Sequence, residues 1–290
     1  MLIDSQTKLV GVIGWPIAHS LSPQMHNAAF DALGLNWRYV ACPAPPGRVK
    51  AAIEGLEALG FYGCNVTVPH KEAVIPFLDD LAEHVRHLGA VNTLIFKREK
   101  EACTISGDNT DVPGFILPLR QRGFEPQGKK VLIVGAGGVA RGAVYSLCAA
   151  GASSVTVLNR TPARADALVA DLSTHARQTD LGAGALTPEA LIEQSRQADL
   201  LVNATVLGMW PRIDASIWPD QQPIPAHLVV YDLIYRPLET RLLHQARQAG
   251  ALGIAGLGML VAQGALSFEL WTGRRPPQEV MRKACERVLS

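Results

Sequence analysis

The chain has almost no excess of charge of either sign: 27 lysines and arginines against 26 aspartates and glutamates in 290 residues, a net +1. That balance gives no bulk attraction to nucleic acid or to an anionic membrane, so neither partner is expected and any anion site must be built locally. Cysteine is sparse. Cys42, Cys64, Cys103, Cys148 and Cys285 show no C-x-x-C spacing, which argues against a disulfide framework or a structural zinc and points to a reducing, cytoplasmic setting. The eight histidines have no metal-like spacing either, so no metal is expected. No apolar run approaches the roughly 20 residues that span a bilayer. The first eight residues lack a basic stretch followed by an apolar core, so no secretory signal is expected. Repeats and low-complexity segments are also missing.

What is present is an ordinary globular composition, 48% hydrophobic and 18% charged. A chain of this length is too long for one comfortable core and suits two lobes. Apolar runs bounded by Gly and Pro predict strands over 9–14, 37–41, 63–68, 90–96 and 102–106. Helices are predicted over 24–33, closed by Gly34, over 49–60, and from Pro69 onward, since proline suits a first helical turn. This alternation describes one α/β lobe over 1–112. Pro113-Gly114 opens a connecting helix to about 122, and a stronger pattern fills 113–250. Strands are predicted there over 131–134, 154–158, 199–203 and 228–233, with helices over 138–150, 162–173, 188–196 and 239–249. The stretch 259–270 is apolar all round and reads as a buried helix. It cannot extend the second sheet, so the tail 251–290 is expected to complete the first lobe.

After the strand at 131–134 comes Gly135-Ala136-Gly137-Gly138-Val139-Ala140, a G-x-G-x-x-A run opening a helix. Gly135 permits the tight turn, Gly137 lets the backbone approach a pyrophosphate, and Ala140 lets helix and strand pack closely. The next strand ends in Asn159-Arg160-Thr161-Pro162-Ala163-Arg164. An NAD enzyme places a carboxylate there for the ribose 2′-hydroxyl. Arg160 and Arg164 instead suit a 2′-phosphate, with Asn159 beside them, so NADP is the expected cofactor. Thr161 and Pro162 read as the cap and first residue of the following helix.

Seven blocks in order resemble the shikimate dehydrogenase family: Gly14-Trp15-Pro16-Ile17-Ala18-His19-Ser20-Leu21-Ser22-Pro23-Gln24-Met25-His26-Asn27, Asn65-Val66-Thr67-Val68-Pro69-His70-Lys71, Gly89-Ala90-Val91-Asn92-Thr93, Gly107-Asp108-Asn109-Thr110-Asp111, Asn203-Ala204-Thr205, Tyr231-Asp232-Leu233-Ile234-Tyr235-Arg236-Pro237 and Gly258-Met259-Leu260-Val261-Ala262-Gln263. The resemblance implies a two-lobed α/β fold, a substrate-binding domain beside a Rossmann-type dinucleotide domain. It implies reversible NADPH-dependent reduction of 3-dehydroshikimate to shikimate, a step in aromatic amino-acid synthesis. It assigns Lys71 and Asp111 to acid–base catalysis. Ser20 and Ser22 fall to the substrate carboxylate, and Thr67, Asn92, Asp111, Tyr235 and Gln263 to the ring and its hydroxyls. On the cofactor side it adds Ala204, Thr205, Leu233, Gly256 and Met259.

Taken locally, Lys71 is a solvated side chain and Asp111 a helix cap; only the ordered family match raises them to catalysts. Two blocks depart from the family pattern, Ala255-Gly256-Leu257 where relatives often carry an acid, and Val206-Leu207-Gly208-Met209 in place of a serine-containing version. Competing readings are a quinate or dual-substrate enzyme using NAD, and a non-catalytic sensor of NADP and a shikimate-like ligand. The oligomeric state stays open between monomer and homodimer.

Overall fold

The computed structural model describes residues 3–100, 102–174, 176 and 178–289. The chain divides into two compact units, one running to Asp111 and resumed by Val261–Val288, the other Val112–Leu260.

The first unit carries a six-stranded sheet of order β2-β1-β3-β5-β6-β4. Its strands are β1 (Lys8–Gly14), β2 (Trp37–Pro43), β3 (Gly63–Val66), β4 (Asp80–Leu81), β5 (Thr93–Glu99) and β6 (Ala102–Asp108). β1 runs parallel to β2 and β3, whereas β5 is antiparallel to both β3 and β6. Helices α1 (Ser22–Ala32), α2 (Val49–Ala58) and α3 (Glu83–Leu88) alternate with them. Ile53 and Leu56 of α2 and Val85 of α3 share one core with Ile13, Val66, Leu94 and Phe96 of the sheet. α9 (Leu257–Thr272) belongs to this unit from Val261 on. Its Trp271 Nε1 donates to the Leu94 carbonyl at 2.9 Å, and only a glycine at 63 leaves room for that indole. Phe268 and Trp271 join Phe30 and Tyr39 around His26, whose ring stacks on Tyr39 at 4.4 Å with 4° between the planes.

The helix expected from Pro69 is not there. Residues 70–74 form turns, followed by a single 3-10 turn, Ile75–Phe77. Pro76 explains the shortfall, because it has no N–H to donate and its ring obstructs a longer helix. The short α3 and β4 fall where no element was expected.

The second unit carries a parallel sheet of order β12-β11-β10-β7-β8-β9, built from β7 (Lys130–Val134), β8 (Ser154–Asn159), β9 (Asp180–Ala185), β10 (Leu200–Asn203), β11 (Val229–Asp232) and β12 (Leu252–Ala255). This is the doubly wound Rossmann-type order. Val131 and Ile133 of β7 join one core cluster while Leu132 and Val134 join the other, as a sheet covered on both faces requires. α4 (Asp111–Gln121), α5 (Gly138–Ala149) and α6 (Pro162–Ser173) pack in the first cluster. α7 (Pro188–Ser195) and α8 (Arg241–Gln248) pack in the second. α10 (Gln278–Leu289) closes the chain. β9 and β12 are additions to the expected elements, and β12, paired with β11, places 252–255 in the second unit rather than in the tail expected to complete the first. β9 reads Asp-Leu-Gly-Ala-Gly-Ala, with no β-branched residue, and exists as an edge strand through its pairing with β8. Thr161 does hold the N-cap position of α6, but its hydroxyl caps nothing; the Arg164 amide bonds the Thr161 carbonyl instead, at 3.0 Å.

Candidate active site

In the first unit, the loops that follow β1, β3 and α3 and the start of α4 converge through backbone bonds. Thr67 N–H donates to the Ile13 carbonyl and Trp15 N–H to that of Val68. The absence of a side chain at Gly14 leaves space that the Thr67 methyl fills. Val91 N–H donates to the Lys71 carbonyl at 2.8 Å and Asn92 N–H to the Asp108 carbonyl at 3.0 Å. These bonds draw four of the sequence blocks together around one pair of side chains. Lys71 Nζ lies 2.5 Å from Asp111 Oδ2, although the two residues are 40 positions apart. Both are partly exposed, 29% and 18% for the side chains, so water screens their attraction and the pair contributes only modestly to stability. Its geometry matters more than its energy: an ammonium is held at a fixed place with a carboxylate beside it. Asp111 is the first residue of α4, and its amide is taken by Asn109 Oδ1 at 3.0 Å. Capping therefore does not occupy its carboxylate, and Oδ1 has no protein partner among the described residues.

Asn92 is buried and Thr67 and Gln263 are half-buried; so is Ser20, whose hydroxyl accepts from the Ser22 amide at 3.3 Å. Ser22 is 9% exposed. These residues share the first unit with Lys71 and Asp111. Tyr235 follows β11 and belongs to the second unit. His70 is buried and bonds the Ala44 carbonyl at 2.6 Å. Its Nε2 must carry the proton, because a carbonyl only accepts, so the histidine anchors the loop rather than moving protons.

In the second unit the strand order reverses between β7 and β10, the position where doubly wound sheets bind nucleotides. Gly135 has φ +113 and a Cβ there would press on the Ala204 carbonyl, so packing alone requires glycine. Gly137 and Gly138 differ. A Cβ at either would meet nothing within 4 Å, and the φ of −99° at Gly137 suits any residue. Their backbone is bare toward open space at the N-terminus of α5, which fits a bound pyrophosphate. Ala140 is fully buried and Val139 exposed, with Ala136 between the two extremes. Arg160 and Arg164 are exposed and have no carboxylate partner among the described residues, while Asn159 Nδ2 donates to the Thr161 carbonyl at 2.9 Å. Two exposed guanidinium groups, one just after β8 and one in the first turn of α6, fit a 2′-phosphate.

Ala204, Thr205 and Leu233 lie on the loops leaving β10 and β11, and Met259 on α9. Gly256 has a packing reason of its own: a Cβ there would overlap the Leu233 carbonyl. Sequence reasoning missed what shapes these loops. Asp232, fully buried at the end of β11, accepts from Asn203 Nδ2 at 3.0 Å, Ile234 N–H at 3.2 Å and Thr240 Oγ1 at 2.6 Å. Asn203 in turn accepts from Thr205 N–H and hydroxyl. Only a polar residue at the end of an apolar strand signalled it. Burial pushes the Asp232 carboxyl up to about 6, against the three hydrogen bonds that favour its charged form.

No group of metal-ligating side chains and no helix long and apolar enough to cross a membrane occurs among the described residues.

Three family models match in succession. They are the shikimate dehydrogenase substrate binding domain over residues 12–94, shikimate / quinate 5-dehydrogenase over 119–206, and the shikimate 5′-dehydrogenase C-terminal domain over 256–286. The NADP(+) shikimate dehydrogenase of Methanopyrus kandleri is 46% identical over 97% of this chain and 96% of its own. The chain belongs to the shikimate dehydrogenase family. A crystal structure of a shikimate dehydrogenase in complex with NADP+ superposes with a TM-score of 0.90 at 36% identity, covering 100% of this chain and 98% of that one. The Thermus thermophilus enzyme, solved with NADP(H) and shikimate, gives a TM-score of 0.84 at 38% identity over 97% of this chain and 100% of its own.

Proposed function

We propose that this chain catalyses the reversible NADPH-dependent reduction of 3-dehydroshikimate to shikimate, with Lys71 and Asp111 as the acid–base pair, and so serves aromatic amino-acid synthesis. The observation that carries the reading is the Lys71–Asp111 pair at 2.5 Å, in a chain whose family membership is shown over nearly its full length. Bound NADPH supplies the hydride. As the ketone becomes an alkoxide, negative charge grows on its oxygen, and the Lys71 ammonium stabilises that charge and delivers a proton to it. Asp111 holds the ammonium through Oδ2 and offers Oδ1 to a neighbouring ring hydroxyl, orienting the ring for reaction. Ser20 and Ser22 take the carboxylate, and Thr67, Asn92, Tyr235 and Gln263 the remaining oxygens. Gly135, Gly137 and Gly138 receive the pyrophosphate, Arg160 and Arg164 the 2′-phosphate, and the loops bearing Ala204, Thr205 and Leu233, with Met259, complete the cofactor side.

A second reading has support in the family model that names quinate beside shikimate. Quinate carries an extra hydroxyl on the carboxylate-bearing carbon and needs more room near Ser22 and Thr67. Steady-state rates with shikimate and quinate, each with NADP and NAD, separate the two. The highest kcat/KM is expected for shikimate with NADP; a higher value for quinate with NAD overturns the proposal.

A further inference from the structure

Beneath Asn92 lies a buried hydrogen-bond chain whose direction is fixed at both ends by backbone groups. The Thr110 amide lies 2.8 Å from Asn92 Oδ1. A backbone N–H only donates, so that atom is the oxygen, and the orientation of the Asn92 amide follows without any hydrogen being located. At the other end Asn65 Nδ2 faces the Asn92 carbonyl at 3.1 Å, and a carbonyl only accepts. Asn65 Oδ1 therefore receives the Tyr39 hydroxyl, at 2.8 Å, while the second Nδ2 proton is shared between the Thr93 hydroxyl at 3.1 Å and the Ser267 hydroxyl at 2.9 Å. Thr93 passes its own proton to Asn92 Oδ1 at 2.8 Å, and Ser267 passes its proton to the Gln263 carbonyl at 3.1 Å. Thr93 and Ser267 are both fully buried and lie 2.9 Å apart.

Asn92 Oδ1 is thus saturated by protein donors. Of the two Nδ2 protons, one goes to Thr110 Oγ1 at 3.0 Å and the other has no acceptor among the described residues. We infer that Thr93, backed by Ser267 on α9, is a positioning residue that locks the Asn92 amide as a pure donor toward the substrate, so that the ring oxygen it meets must accept. The same lock holds the Thr110 amide, one residue before Asp111. The inference rests on the proposed reaction for its kinetic consequence but not for its structural one.

The test compares Thr93→Val, which keeps the shape and deletes the hydroxyl, with Thr93→Ser, which keeps the hydroxyl. In the ligand-free protein, NMR exchange of the Asn92 side-chain amide protons reads the lock directly. They are expected to be protected in the wild type and Thr93→Ser and to exchange at least tenfold faster in Thr93→Val. In turnover, Thr93→Val is expected to raise KM for shikimate about tenfold with a smaller loss in kcat and an unchanged KM for NADP, because an unlocked amide binds the ring oxygen poorly. Thr93→Ser is expected to restore KM to within about twofold. Equal amide exchange in all three proteins overturns the inference, and so does a Thr93→Ser variant as impaired as Thr93→Val. If Thr93→Val does not fold, Thr93→Ala, which also deletes the hydroxyl, is read in its place against the same outcomes. A wild type that neither binds nor turns over shikimate refutes the reaction and leaves the amide-exchange result to decide the inference by itself.

Discussion

Lys71 illustrates how little a single residue says until its neighbour is placed. A lysine after Pro-His is ordinarily solvated, and only the Asp111 carboxylate at 2.5 Å turns it into an oriented ammonium. Lys71→Ala is expected to lower kcat by about 10²- to 10⁴-fold, the usual range for a lost general acid, while KM for shikimate stays within several-fold. Steady-state kinetics checks this, and an unchanged kcat removes Lys71 from the chemistry. Arg160 makes a separate prediction. Its guanidinium is exposed and has no partner among the described residues, so Arg160→Ala is expected to leave stability within about 0.5 kcal/mol. KM for NADP should rise at least tenfold, with KM for NAD nearly unchanged. A parallel rise for both cofactors contradicts a 2′-phosphate contact. The roles proposed for the glycine run and the arginines could be argued from the sequence itself, because each stands beside a strand end. The proposed catalytic pair was suggested only by the ordered family blocks, since local sequence gives Lys71 a surface role and Asp111 a cap.

At the scale of elements, strong apolar periodicity located β7, β8, β10 and β11, whose alternate residues fill two cores. β9 escaped because Gly and Ala carry no strand preference and its pairing with β8 alone makes it a strand. α3 escaped because it is six residues long, too short for a period to show. The network that ties β10 to β11 and to the cap of α8 could not be read either, since the parallel register of the sheet brings Asn203 to Asp232 and the turn into α8 brings Thr240 to the same carboxylate. Its central carboxylate has a consequence for pH. Because the folded Asp232 has its pKa raised from 3.8 to about 6, the protonated form is the one folding favours. The associated stability is fully present below pH 3.8 and is lost as pH rises through about 6, a difference on the order of 3 kcal/mol. Urea unfolding of Asp232→Asn and the wild type between pH 4 and 8 checks this. The variant is expected to gain on the wild type as pH rises through that window, and a constant difference refutes the assignment.

For the whole molecule, the two units differ in how far along the chain their contacts reach. The second is continuous, whereas the first is closed by α9 only after the whole second unit has intervened, through Asn65–Ser267 and Leu94–Trp271 bonds 202 and 177 residues apart. Such closures carry a large entropic cost that only the complete chain recovers. A fragment ending at residue 256 is therefore expected to lack near-UV circular dichroism from the first unit's aromatics and to bind a hydrophobic dye, unlike the full chain. A fragment with native aromatic signals contradicts this order of assembly. The stretch 259–270 suggested this return from its all-round apolarity, but the residues it meets, from Met25 to Leu94, carried no sign of it.

The aromatic stack around His26 has one further effect. Neither ring nitrogen has a partner among the described residues, and burial among aromatic rings holds the pKa down at about 3. Stability from the neutral imidazole is complete above pH 6.5 and drains away as acid approaches pH 3, on the order of 5 kcal/mol in all. Asp232 in the other unit responds to acid with the opposite sign. Mild acidity should then act as a wedge between two halves of one chain. In scanning calorimetry a single endotherm at pH 8 is expected to split near pH 5, the first unit melting earlier, and His26→Phe should close the gap. An endotherm that shifts without splitting would mean that the halves share their fate in acid.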